Sequence, residues 1–177
     1  TPGKRHMEIP ASETVAGRIA AFLDLRGIDR VFGLCGGHVM PIWDQASRRG
    51  IRIIDVRDER AAAHMAHAHA ELTDNIGVVF ATAGPGVTNA ITGIVNAHVA
   101  RAPVVVISGV PPRPQEKMGA LQDLVHTDLL HSVTRYTRTV REASHVLPAL
   151  DEAFARAIGN GGVPGPVYLD FPTDLLR

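Results

Sequence analysis

The stretch Ile53-Ile54-Asp55-Val56-Arg57-Asp58-Glu59-Arg60-Ala61-Ala62-Ala63 decides how the chain folds. A short apolar run stops, charged residues follow, and an alanine-rich helix begins at once. Glu59 therefore stands where a strand gives way to a helix N-terminus. In open α/β sheets, ligand chemistry collects just beyond the carboxyl ends of the strands. A carboxylate followed by small residues can sit against a neighbouring surface with little bulk around it. The competing reading of Glu59 is an ordinary first-turn acid, favoured there by the helix dipole.

Outward from this junction, helical and strand patterns alternate. On the N-terminal side, Ser12 is placed to cap a helix with Ala16, Ile19, Ala20 and Leu23 on one face, which Gly27 stops. Asp29 to Leu34 reads as a strand, Gly36-Gly37 leads into a helix to Arg49, and Ile51 to Val56 is the next strand. On the C-terminal side, the Glu59 helix runs to about Leu72 and is followed by a strand from Gly77 to Thr82. Gly84-Pro85-Gly86 turns into a helix from Thr88 to Ala100. Pro103 to Ser108 carries Val104-Val105-Val106-Ile107, an unbroken β-branched run of the kind buried on both faces of a parallel sheet.

Val110 to Gln115 is proline-rich and reads as a loop that excludes helix. A helix is expected from Gln122 to His131, a strand from Thr134 to Val140, a helix capped by Ser144 through Ile158, and a last strand from Val167 to Phe171. This alternation predicts βαβ units and an α/β fold: a doubly wound, mostly parallel sheet with helices on both faces. Thr1 to Met7 reads as a remnant of cloning with the native start at Met7, leaving residues 8–177 as one domain.

Eighteen Lys and Arg balance eighteen Asp and Glu, so no net charge points to nucleic acid or a membrane surface. No apolar stretch approaches the roughly 20 residues a spanning helix needs. The single Cys35 excludes an internal disulfide and suits a reducing, cytoplasmic location.

Several constellations compete for function. Gly84-Pro85-Gly86-Val87-Thr88-Asn89 resembles a phosphate-cradling turn, yet lacks the Lys-Ser/Thr of a P-loop and the third glycine of a dinucleotide fingerprint. Asn89 and Thr92, one turn inside, are placed to bind a ligand or to cap. In Leu34-Cys35-Gly36-Gly37-His38 the paired glycines permit close backbone approach, and His38 can exchange a proton near neutrality. Cys35 lacks the companions of a catalytic thiol and reads as structural. His64 and His67 share a helix face but His69 leaves it, so no metal site is expected. Trp43 and Met40 read as core or interface. Asp123, Asp128, His126 and His131 read as a solvated helix face.

In order and spacing these signals resemble the pyrimidine-binding (PYR) domain of thiamine-diphosphate enzymes, in the acetolactate synthase and benzaldehyde lyase branch. The matching stretches are Val31-Phe32-Gly33-x-x-Gly36-Gly37, Arg57-Asp58-Glu59-x-Ala61-Ala62-x-x-Met65-Ala66, and Thr82-x-Gly84-Pro85-Gly86-x-Thr88-Asn89-x-x-Thr92-Gly93-Ile94. Ala97 to Pro103, Leu121-Gln122-Asp123, and Gly165-Pro166-Val167 to Pro172-Thr173-Asp174 extend the match over nearly all of residues 12–174.

The resemblance implies thiamine diphosphate with Mg²⁺ as cofactor. Thiamine diphosphate must lose its thiazolium C2 proton, which its own 4′-amino group takes once the ring is protonated or hydrogen-bonded at N1′. In relatives a glutamate matching Glu59 supplies that bond. By the same similarity Pro85 and Asn89 line the aminopyrimidine pocket with Gly36 and Gly37, Gln122 faces cofactor or substrate, and His38 faces the substrate carbonyl. Cys35, Leu34 and Asp58 depart from the residues usual in the family, which puts the substrate rather than the cofactor in question.

The family's diphosphate and metal are held by a separate domain with a Gly-Asp-Gly motif, which this sequence lacks. The expectation is one subunit of a split enzyme, active only with a second subunit that carries the diphosphate-binding domain, as a heterotetramer or higher. Its reaction would be C–C bond formation, cleavage or decarboxylation of 2-oxo acids or acyloins. Adjacent histidines near Gln122, expected in decarboxylases of the pyruvate type, are missing, which favours carboligase or lyase chemistry. Alternatives are the alpha subunit of a sulfopyruvate-type decarboxylase, a non-catalytic PYR module that regulates or assembles with a relative, and, more distantly, a flavodoxin-like binding domain. Both the enzyme-subunit reading and the non-catalytic module predict association, because Ala61, Ala62, Ala63, Ala66 and Ala70 suit close helix packing.

Overall fold

Six apolar segments become strands: β1 (Arg30–Gly33), β2 (Arg52–Asp55), β3 (Gly77–Ala81), β4 (Val104–Val110), β5 (Tyr136–Thr139) and β6 (Val167–Pro172). A computed structural model describes residues 13–177; the expected Ser12 cap and the 1–7 remnant lie outside them. Every strand pair is parallel, and the order across the sheet is β2-β1-β3-β4-β6-β5. β3, β4 and β6 are buried along their whole length, as the unbroken runs of Val and Ile require when helices cover both faces.

The helices α1 (Val15–Leu25), α2 (Met40–Arg48) and α6 (Val146–Ala157) cover one face, where Ile19, Ile42 and Leu150 pack on Val78, Phe80 and Ile107. The helices α3 (Glu59–Thr73), α4 (Pro85–Ala100) and α5 (His126–Leu130) cover the other, where Ala66, Ile94 and Leu130 pack on Val79, Val106 and Tyr168. A short α7 (Thr173–Leu176), not expected from the sequence, follows β6. The chain leaves β1 for β2 at the sheet edge and returns across β1 to β3. This reversal opens a crevice beyond the carboxyl ends of β1 and β3.

The helix starts differ from the sequence pattern for local reasons. Thr14, not Ser12, caps α1, its hydroxyl accepting from Gly17 N–H at 3.1 Å. α4 starts at Pro85 rather than Thr88, because a proline without N–H loses nothing at the first helical position. Arg113–Gln115, assigned to non-helical loop, forms one 3-10 turn with Pro114 in it. Ser144 lies within another 3-10 turn, Ala143–His145, and α6 begins at Val146 without a side-chain cap.

The expected helix from Gln122 to His131 shrinks to α5. Gln122 stands in the left-handed region at φ 63°, which a helix cannot continue through.

α3 and α4 approach closely. A Cβ at Gly93 would lie 2.4 Å from Ala63 Cβ. Ala62, Ala63, Ala66 and Ala70 are buried, whereas Ala61 is exposed. Among the described residues, no helix is long and apolar enough to cross a membrane.

Candidate functional site

Asp58 caps α3, its carboxylate accepting from Arg60 N–H at 2.9 Å. The Arg60 side chain, followed by that backbone bond, holds Asp58 at a pKa of about 2, so the cap stays charged. The next residue, Glu59, is only 6% exposed. Burying a carboxylate costs free energy unless it is hydrogen-bonded. Asn89, one turn inside α4, donates its side-chain N–H to Glu59 Oε2 at 3.0 Å.

The other carboxylate oxygen faces Gly86. A Cβ built there would sit 3.3 Å from Glu59 Oε1 and 2.9 Å from Thr82 Cγ2. A Cβ at Gly36 would meet the Thr82 side chain at 2.4–2.7 Å. The glycines Gly36 and Gly86 thus let three backbone segments converge on Thr82 and Glu59. Thr82 Oγ1 is buried without a partner among the described residues, an open hydrogen-bonding position beside the carboxylate.

A second group assembles on the β4 side of the same edge. A Cβ on Gly109 would clash with His38 O at 1.8 Å, so the loop after β1 lies directly on the end of β4. Burial lowers the His38 imidazole below the usual histidine value of 6.5, against the raising influence of the neighbouring Gln122 side chain. The ring is therefore biased to its neutral form. Its Nδ1 is buried and unpartnered among the described residues. Gln122 grips the turn after β3: its Cβ lies 2.9 Å from where a Gly84 Cβ would be, and Gly84 itself has φ +64°. Both residues hold left-handed backbone, which only glycine adopts at no cost.

The structure thus brings Glu59, Asn89, Gly36, Gln122 and His38 to one end of the sheet, with Pro85 exposed on the turn between them and Gly37 exposed beside Gly36. Cys35 is exposed, and burial together with Asp55 raises its thiol pKa, which disfavours the nucleophilic thiolate. Among the described residues, no three His, Cys, Asp or Glu side chains gather to hold a metal. His67 instead bridges Asn96 and Glu71, each at 2.9 Å, and His69 packs against the Phe32 ring. Trp43 is packed against the core, whereas Met40 is exposed.

One expectation is corrected. His126, read as part of a solvated helix face, is 1% exposed. It meets Gly84 and Asp170 in the interior. The sequence did hold a signal: Asp170 interrupts the apolar strand Val167 to Phe171, and a carboxylate buried in such a strand needs a partner from elsewhere.

These features define an α/β domain with a buried carboxylate at a topological switch point, a common place for a bound cofactor. Residues 13–131 match the family described as thiamine pyrophosphate enzyme, N-terminal TPP binding domain, and the chain belongs to that family. It is 39% identical over 158 residues to 2-hydroxyacyl-CoA lyase 2 of Caenorhabditis elegans, covering 89% of this chain and 24% of that protein. With the human 2-hydroxyacyl-CoA lyase 2 the identity is 35%, over 89% of this chain and 25% of that protein. An acetolactate synthase large subunit of Mycobacterium tuberculosis is 37% identical, over 93% of this chain and 30% of that protein. The chain spans about a quarter of the length of the lyases it matches.

The residues present fit thiamine diphosphate by the chemistry of the donors. Glu59 Oε1 lies against the Gly86 backbone, where an added Cβ would come within 3.3 Å of it, and Asn89 occupies only Oε2.

Proposed function

We propose that this chain is the cofactor-activating part of a thiamine-diphosphate enzyme that makes or breaks a C–C bond in 2-oxo acids or acyloins. The observation that carries the reading is the buried Glu59, one oxygen held by Asn89 and the other beside the side-chain-free Gly86. The names of its relatives, a 2-hydroxyacyl-CoA lyase and an acetolactate synthase, support cleavage or ligation over other thiamine chemistry.

When bound, thiamine diphosphate supplies a carbon nucleophile and an electron sink for the carbonyl carbon it attacks. Glu59 holds a proton at the ring nitrogen N1′ of the aminopyrimidine, and its burial strengthens that bond by excluding water. Asn89 orients the carboxylate through a charge-assisted bond. Pro85, with Gly36 and Gly37, walls the pocket. Gln122 positions cofactor or substrate. His38, kept neutral, is able to accept and return a proton at the substrate oxygen.

The cofactor's diphosphate and Mg²⁺ are assigned to a diphosphate-binding domain on a partner chain, in a heterotetramer or larger assembly. A cytoplasmic location accords with the single, unpaired Cys35.

The test is Glu59→Gln in the assembled enzyme. Turnover falls by about 10²–10⁴-fold, the usual contribution of a positioned proton-transfer group, while fold and partner binding persist. Near wild-type turnover removes Glu59 from the mechanism. Calorimetric titration of the chain with thiamine diphosphate and Mg²⁺ gives tight binding only after the partner is added; tight binding by the chain alone refutes the divided site.

A further inference from the structure

The mechanism above uses neither His126 nor Asp170, yet both are about 1% exposed at the centre of the site's floor. The Gly84 N–H donates to His126 Nε2 at 2.8 Å. A ring nitrogen that accepts carries no proton, so the network assigns the imidazole proton to Nδ1. Nδ1 faces Asp170 Oδ2 at 3.3 Å. The same carboxylate oxygen accepts from the fully buried Tyr168 hydroxyl at 2.9 Å. A continuous buried chain therefore runs from β6, through the first residue of α5, to the turn that starts α4.

Its end point matters because of what Gly84 lacks. Gly84 is the N-cap of α4, without a side chain to cap with, and Pro85 has no N–H. The first N–H groups of a helix have no intrahelical partner and need one from elsewhere. His126 provides it from a distant element, and Gln122, four residues earlier, presses on the same glycine. The position of this turn sets where Asn89 reaches Glu59 at 3.0 Å.

We propose that His126 is a positioning residue: as a buried hydrogen-bond acceptor held in one tautomer by Asp170, it fixes the Gly84 turn, and through it the Asn89–Glu59 pair. The inference rests on the reading of Glu59 as the activating acid.

Two nearly isosteric substitutions separate the ends of the relay. In His126→Gln the amide oxygen reaches the position of Nε2 and can accept from Gly84. In His126→Asn the amide nitrogen stands near Nδ1 and can donate to Asp170, but nothing reaches Gly84. His126→Met, of similar bulk and without a strong acceptor, repeats the loss in an apolar background.

Hydrogen exchange of the Gly84 amide is read by NMR on the full chain, and kcat and KM on the assembled enzyme. Exchange rises about tenfold or more in H126N and H126M, as expected for a freed buried donor. It stays close to wild type in H126Q. Turnover follows the same order, with KM little changed. Unaltered Gly84 exchange in H126N and H126M, or turnover that ignores the change in exchange, overturns the proposal. Equal damage in H126Q also overturns it. Failure of the Glu59 reading is seen separately, as wild-type turnover in E59Q, while the exchange contrast still decides whether His126 holds the turn.

Discussion

Gly93→Ala sets two physical effects against each other with opposite signs. Gly93 lies inside α4, where helix propensity alone favours alanine by about 1 kcal/mol. The added Cβ, however, would be 2.4 Å from Ala63 Cβ and 3.0 Å from the His64 backbone N. These atoms are fixed to the α3 backbone and cannot rotate away. Relief requires α3 and α4 to separate, and overpacking of this kind costs about 1–3 kcal/mol. The net expectation is a loss of up to about 2 kcal/mol, which for a domain of this size lowers Tm by up to roughly 8 °C.

Chemical denaturation and calorimetry of Gly93→Ala, Ala63→Gly and the double variant measure this directly. In the double variant the methyl moves from one helix to the other, and the single losses fail to add by about 1 kcal/mol or more, as expected for residues in contact. A Gly93→Ala protein more stable than wild type, or strictly additive losses, would falsify the claim that the two helices touch at this point. The contact bears on function because α3 carries Glu59 and α4 carries Asn89.

Two further outcomes follow from the site. Asn89→Ala removes the donor to Glu59 Oε2 and lowers stability by about 1–3 kcal/mol, the cost of an unsatisfied buried group; an unchanged urea midpoint refutes that pairing. His38 binds fewer protons folded than unfolded just below 6.5, because burial lowers its folded value. Stability therefore rises with pH through that window and is lost as pH falls from about 6.5 toward the depressed folded value. His38→Asn flattens this part of the urea-midpoint profile, and an identical slope in the variant sinks the assignment.

The strands were legible because their side chains speak for themselves. Val104 to Ile107 and Val78 to Phe80 are too apolar for any exposed position, and such runs have few solutions besides a sheet covered on both faces. Glu59 stood out because a strand end and an alanine run flank it in sequence, but that position alone equally suits a first-turn acid, and its expected role came from the resemblance of the accompanying motifs. Gln122 and His126 were misplaced for the opposite reason. Local pattern extended a helix through Gln122, but its left-handed backbone and its contact with Gly84 depend on a turn far away in the chain. His126 looked solvated because its partners, Gly84 and Asp170, are 42 and 44 residues distant.

The sequence by itself determined the alternation of strands and helices and the parallel α/β architecture, while its resemblance to a known family named the residues expected to serve a thiamine cofactor. The alternation and the architecture follow from local periodicity and turn chemistry. Only the tertiary structure decided which of those residues meet. It joined Glu59 to Asn89, brought Gly86 against Glu59, set His38 over β4, and buried His126 between Gly84 and Asp170. Such contacts depend on sheet order and on backbone approaches of a few ångströms, to which each segment contributes only one side.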